Sequence, residues 1–268
     1  MNFAAESHVD RSIYESKDFI ETNIVGTYNL LESARSYWND LDQNLKQDFR
    51  FLHISSDEVY GSLSSSDHPS NESDPYKPNS PYSASKAASD HLARAWFQTY
   101  KLPVLTVNSA NNYGPYQFPE KLIPKTIIRS IKNLKVPLYG DGTQIRSWIY
   151  VDDHVRAIES LISKGISGHV YNITAYDELT NKTIVEKTLD ILGKSHDMIE
   201  YVGDRPGHDK RYSIDCSKIE NQIGWKHQYK FDDALKQTVD WYLQNQSWWE
   251  PLINENTLHP QPWTITWK

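Results

Sequence analysis

From Asp18 to Tyr37 apolar residues recur three and four positions apart (Phe19, Ile20, Ile24, Tyr28, Leu31), the period of a helix with one packed stripe. Residues 50–55 (Arg-Phe-Leu-His-Ile-Ser) are rich in β-formers and predict a strand. Residues 61–80 collect Ser, Pro, Asp and Asn and read as a loop. Residues 81–100 return to a helical period, with Pro81 at the start, where its missing N–H costs nothing. Residues 103–109 (Pro-Val-Leu-Thr-Val-Asn-Ser) predict the next strand. Strand, helix and strand in that order predict a parallel pair joined by a right-handed crossover.

From about residue 115 the texture changes. Short strands are predicted at 136–139, 147–150, 169–173 and 198–202, mixed with helices near 119–133, 152–163, 180–192 and 231–245. This pattern divides the chain into 1–114, built on the parallel sheet, and 115–249, a smaller mixed α/β domain interleaved with that sheet. Residues 250–268 hold Pro251, Pro260 and Pro262 without periodicity and are expected to form an irregular tail. No internal repeat is visible.

At 268 residues the chain can build one large domain or two modest ones. A net charge of −7 argues against nucleic acid as a bulk electrostatic partner, though local Arg and Lys can still bind a small phosphate ligand. A single cysteine, Cys216, excludes an internal disulfide framework and a cysteine-based zinc site, and no metal site is predicted. A reducing cytoplasm is the simplest compartment. No run approaches 18 apolar residues, so no membrane-spanning helix is expected, and no basic segment followed by an apolar one opens the chain.

Two short segments carry chemistry: Ser55-Ser56-Asp57-Glu58 after the first strand, and Tyr82-Ser-Ala-Ser-Lys86 opening the long helix. Tyr82 and Lys86 lie four apart, on one helix face. They read either as a packed Tyr with a solvated Lys, or as a base whose phenol is acidified by the ammonium. Asp57 and Glu58 read either as a turn cap or as an acid and a base in different environments. Both segments fall at a strand end, where α/β sheets place their ligands. Together they can oxidise a sugar alcohol and then eliminate water.

Residues 3–12, 53–61 (His-Ile-Ser-Ser-Asp-Glu-Val-Tyr-Gly), 80–91, 111–124 and 204–208 (Asp-Arg-Pro-Gly-His) resemble the dTDP-glucose 4,6-dehydratases of the extended short-chain dehydrogenase/reductase superfamily. The resemblance runs in register from about residue 2 to 249. It implies an NAD-dependent hydro-lyase acting on dTDP-glucose, and a Rossmann-like, doubly wound parallel sheet. By position it implies that Tyr82 starts oxidation at C4, Lys86 holds the nicotinamide ribose and tunes Tyr82, and Ser56 stands where the family has Thr. Asp57 would protonate the leaving C6 hydroxyl and Glu58 would take the C5 proton. Ala4, Ala5, Glu6, Ser7, Thr22 and Asn112 would line NAD, together with Tyr82 and Lys86. Ser7, Asn111, Lys121, Leu122, Pro137, Leu138, Tyr139, Arg146, Asn181, Asp204, Arg205, Pro206, Gly207 and His208 would hold the nucleotide-sugar. Arg146 and Arg205 suit a diphosphate because planar guanidinium forks bind oxyanions in pairs. The resemblance also implies a homodimer built on the helices at 18–37 and 81–100.

One part of the family pattern is missing. The family opens with a strand, a glycine-rich turn and a helix whose N-terminus takes the NAD pyrophosphate, whereas here no glycine precedes Gly26. The sheet is therefore expected to be partial, with a strand around Met1 to Ala5 as an exposed edge. Two other readings remain open at this point: a different nucleotide-sugar enzyme of the superfamily, such as an epimerase, and a nucleotide-sugar-binding remnant or partner subunit without activity.

Overall fold

The computed structural model describes residues 1–265. Eight strands form three small sheets. In the first, β1 (Phe51–Ser56), β2 (Val104–Ser109) and β6 (Val170–Ile173) lie parallel in the order β1-β2-β6. All six residues of β2 are buried, as a central strand covered on both faces requires. The register pairs Phe51 with Val104 and ends on Ser56 beside Ser109, so two hydroxyls close the C-terminal edge together. In the second sheet β3 (Asn111–Tyr113) runs parallel to β5 (Ile145–Tyr150), which pairs antiparallel with β7 (Asp177–Thr180). In the third, β4 (Val136–Tyr139) and β8 (Ile199–Val202) run parallel.

Eleven α-helices pack around these strands among the described residues. They are α1 (Val9–Tyr14), α2 (Ser16–Phe19), α3 (Gly26–Asp40), α4 (Gln43–Asp48), α5 (Pro81–Tyr100), α6 (Leu122–Ile131), α7 (Val151–Lys164), α8 (Asn181–Ile191), α9 (Ser217–Ile223), α10 (Phe231–Gln244) and α11 (Gln246–Trp249). A π-helical stretch, Ile20–Val25, joins α2 to α3, so the helix expected at 18–37 is longer and contains a widened turn. Two main cores result. Leu52, Leu105, Val107, Leu161, Tyr171 and Ile219 build one around the first sheet, and Ile123, Ile127, Ile184, Leu235, Val239 and Trp249 build the other. Strand β5 is the seam: Ile149 faces the first core, while Trp148 and Tyr150 face the second, by the two-residue alternation of a strand.

One expectation needs correction. No strand forms around Met1 to Ala5. Asn2 alone bridges His53, with its N–H donating to Leu52 O at 2.8 Å, and its side-chain Oδ1 then takes the Ala4 N–H and turns the chain away. The end of the chain is irregular and packs on the second core. Trp249 is fully buried, Leu258 joins the second core, and short 3₁₀ turns form at Glu250–Leu252 and Pro262–Thr264. Residues 266–268 of the predicted tail lie outside the described residues.

Candidate active site

The fold brings the two segments that carry chemistry to one sheet edge. Strand β1 ends at Ser56, whose Oγ accepts the Glu58 N–H at 3.2 Å and so starts the short 3₁₀ turn Asp57–Tyr60. The N-terminus of α5 arrives beside it, capped by Ser80 and Ser83, each side chain bonded to the other's backbone N–H. Tyr82 is thereby the second residue of the helix, and its N–H donates to Ser12 Oγ of α1 at 3.2 Å.

Asp57 is 2% exposed. The Ser56 hydroxyl donates to its Oδ1 at 3.3 Å, and Oδ2 has no hydrogen-bond partner among the described residues. Burial, with the neighbouring Glu58 charge adding to it, pushes the Asp57 carboxyl up to about 8. At neutral pH this group therefore carries a proton. Burial also raises Glu58, but Arg205, Arg146 and Lys121 oppose it; the Tyr212 hydroxyl, which donates to Asp209 Oδ2, lies 3.3 Å from its Oε2. The adjacent carboxyls thus differ: Asp57 keeps one oxygen unbonded and feels one cation, Arg146, whereas Glu58 faces Arg205, Arg146 and Lys121.

The Tyr82 ring packs edge-on against Phe19, with centroids 6.3 Å apart. Burial raises its phenol above the usual range and the Glu58 charge adds to this, while a hydrogen bond with Ser56 opposes both. The expected acidification by Lys86 is not found. Lys86 is 4% exposed, and its ammonium donates to Ile54 O at 2.7 Å, against the strand. Burial lowers Lys86 and Asp90 opposes. Beneath these groups Asp90 receives the Ser55 hydroxyl at 2.9 Å and contacts His53 Nε2 at 3.1 Å, which fixes the base of the helix against β1.

Beyond Glu58 opens a cleft of about 170 Å³. Of the residues expected to hold a nucleotide-sugar, Ser7, Asn111, Lys121, Leu122, Pro137, Leu138, Tyr139, Arg146, Asn181, Arg205 and His208 line it. Asp204, Pro206 and Gly207 do not. Asp204 instead braces His208 Nδ1 at 2.6 Å and the Gln144 amide at 3.2 Å. Arg146 is buried, donates to Asp209 O at 2.9 Å and lies 4.3 Å over the Tyr212 ring. Arg205 Nη1 donates to Asp10 Oδ1 at 2.7 Å, while its buried Nε finds no partner among the described residues, which suits a ligand oxyanion.

The residues expected to meet NAD lie on four segments: 4–7, Thr22, Tyr82 with Lys86, and Asn112. Ala5 and Glu6 are half-buried, and Ala4, Ser7 and Thr22 are exposed. Asn23, on the π-helical stretch, accepts the Glu6 N–H at 2.9 Å and donates to Glu6 O at 3.0 Å and Ser85 Oγ at 2.8 Å, holding this segment against α5. Asn112 donates to Ser109 Oγ and Ala110 O, and its buried Oδ1 has no partner among the described residues. A buried acceptor without a protein donor suits an N–H or O–H of a ligand. Sequence reasoning missed Asn23, Asp10 and Tyr212. For Asn23 a signal existed: Phe19, Asn23, Thr27 and Leu31 form a buried stripe four apart, and a polar residue inside such a stripe needs a partner.

Comparison with known proteins agrees with this geometry. The family model described as GDP-mannose 4,6 dehydratase matches residues 1–238. A dTDP-glucose 4,6-dehydratase of Neisseria meningitidis is 48% identical over 265 residues, covering 95% of this chain and 75% of its own length. dTDP-glucose 4,6-dehydratase 1 of Escherichia coli K12 is 51% identical over 263 residues, covering 92% of this chain and 73% of its own. The crystal structure of the dTDP-glucose 4,6-dehydratase from Streptomyces venezuelae, which has NAD bound, superposes with a TM-score of 0.88 at 46% identity. It covers 94% of this chain and 74% of its own.

Proposed function

This chain belongs to the dTDP-glucose 4,6-dehydratase family, and from that premise we propose that its cleft turns dTDP-glucose into dTDP-4-keto-6-deoxyglucose. NAD, held at its nicotinamide end by Lys86 and Asn112, would supply a hydride acceptor for C4 and a hydride donor for C6. Tyr82 removes the proton of the C4 hydroxyl, with the Ser56 hydroxyl bonded to the same oxygen. The C5 proton, now next to a ketone, passes to Glu58, which gives a proton back to C5 when the hydride enters C6. Asp57 gives its proton to the C6 hydroxyl, which leaves as water. Lys86 and Asn112 hold the nicotinamide side, and Arg146 and Arg205 hold the diphosphate. In this division the first sheet serves the cofactor and residues 115–249 chiefly serve the nucleotide-sugar.

One observation carries the reading: Asp57 is buried directly beside a second carboxylate with its Oδ2 unbonded among the described residues, and that burial favours its protonated form. A turn cap has no use for that proton, whereas eliminating water requires one. Asp57→Asn combined with Glu58→Gln is expected to abolish loss of water from dTDP-glucose, followed by product mass, while hydride exchange at C4 persists. Dehydration at the wild-type rate by the double variant would refute it.

We also infer a homodimer. Tyr28, Leu30 and Tyr37 on α3 and Tyr100 at the end of α5 are each at least 42% exposed, more apolar surface than one helix pair leaves to water without a partner. Light scattering at micromolar concentration is expected to give twice the chain mass, and a monomer would overturn it. We propose a reducing cytoplasm as its compartment, in keeping with a single free cysteine, Cys216; among the described residues no helix is long and apolar enough to cross a membrane.

A further inference from the structure

The segment after Trp249 has no part in the chemistry above, yet the structure ties it to the cleft. Lys125 and Arg129 of α6 donate to the backbone carbonyls of His259 and Leu258. Gln261 Nε2 then donates to Gly203 O at 3.4 Å, next to the loop that carries Arg205. The chain thus crosses from one wall of the cleft to the other. Its Pro262–Thr264 turn packs on α1, the helix of Asp10. Trp263 meets the Tyr139 ring edge-on, with centroids 4.7 Å apart at 84°. The Tyr139 hydroxyl donates to Asp10 Oδ2 at 2.9 Å, and the other oxygen of Asp10 takes Arg205 at 2.7 Å.

We propose that Trp263 is a positioning residue for the nucleoside diphosphate, acting on Arg205 through Tyr139 and Asp10. The proposal rests on reading the cleft as the dTDP-sugar site. Tyr139 is half-buried and has two freely rotating side-chain bonds. The indole edge fixes its ring at the angle from which the hydroxyl reaches Asp10. With both oxygens of Asp10 bonded, the carboxylate holds Arg205 at one face and leaves its Nε for the ligand. Without Trp263 the ring turns, Asp10 loses a donor, and Arg205 is free to follow it. An edge-to-face ring pair is worth a change of roughly three- to tenfold in affinity.

Titration calorimetry of the full chain with dTDP tests this. Trp263→Ala is expected to weaken dTDP binding by roughly three- to tenfold, and Trp263→Phe to stay within about twofold of wild type. Tyr139→Phe removes the hydroxyl that Trp263 positions, so adding Trp263→Ala to it is expected to cost nothing further. Should Trp263→Ala fail to fold, Trp263→Leu keeps apolar volume without the ring edge and is expected to show the same weakening. Binding equal to wild type in either variant overturns the proposal. So does a loss that adds in full to Tyr139→Phe, because Trp263 would then only pack. If wild type itself does not bind dTDP, the reading of the cleft fails as well. If wild type binds and the Trp263 variants bind equally well, only the positioning role fails.

Discussion

An acid kept protonated by burial must cost the fold stability, and at Asp57 the cost can be worked out. Its carboxyl moves from 3.8 to about 8 on folding. Between those values the unfolded chain releases the proton while the folded chain keeps it. Stability therefore falls as pH rises through this window, at about 1.4 kcal/mol per unit. From pH 5 to pH 8 the loss amounts to about 4 kcal/mol, a large part of the total stability of an ordinary domain. Asn has the shape of the neutral acid and does not ionise in either state. Asp57→Asn is therefore expected to change stability little at pH 4 and to raise it increasingly up to pH 8, while it abolishes dehydration. Urea unfolding of both proteins at pH 4, 5, 6.5 and 8 measures this. Glu58 is raised by burial as well and titrates in both proteins, so the difference between them, rather than either slope, isolates Asp57. A stability difference that stays constant across this range would refute the claim that Asp57 is held protonated.

Two further outcomes follow from the same geometry. Because the Glu58 charge helps to hold the Tyr82 phenol up, Glu58→Gln is expected to lower that phenol, so the pH profile for hydride removal at C4 should reach its plateau at lower pH; an unmoved profile would count against Tyr82 as the base. Asn23→Ala removes three hydrogen bonds from one buried amide and leaves Glu6 unpaired against α5, so urea unfolding should show a loss of about 1–3 kcal/mol.

The sequence by itself determined the parts whose signals are local. The strand–helix–strand unit of β1, α5 and β2, the cap at Ser80 with Pro81, and the spacing of Tyr82 and Lys86 all lie within a few turns of chain. Their periods and dihedral preferences need no distant partner. The identity of the cleft residues came through resemblance of whole motifs. Strands β3 and β7 have three and four residues, too few for a period to show, and they exist because β5 offers each a partner. The ionisation of the site was also beyond the sequence. Four residues on a helix brought Lys86 near Tyr82, but the carbonyl of Ile54, from another element, took the ammonium. The proton on Asp57 reflects exclusion of water by the packed edge of the sheet. Arg205 and Asp10 meet across 195 residues, with Trp263 behind Tyr139 closing the same wall. Burial and charge act through space, and only the folded chain sets which groups share it.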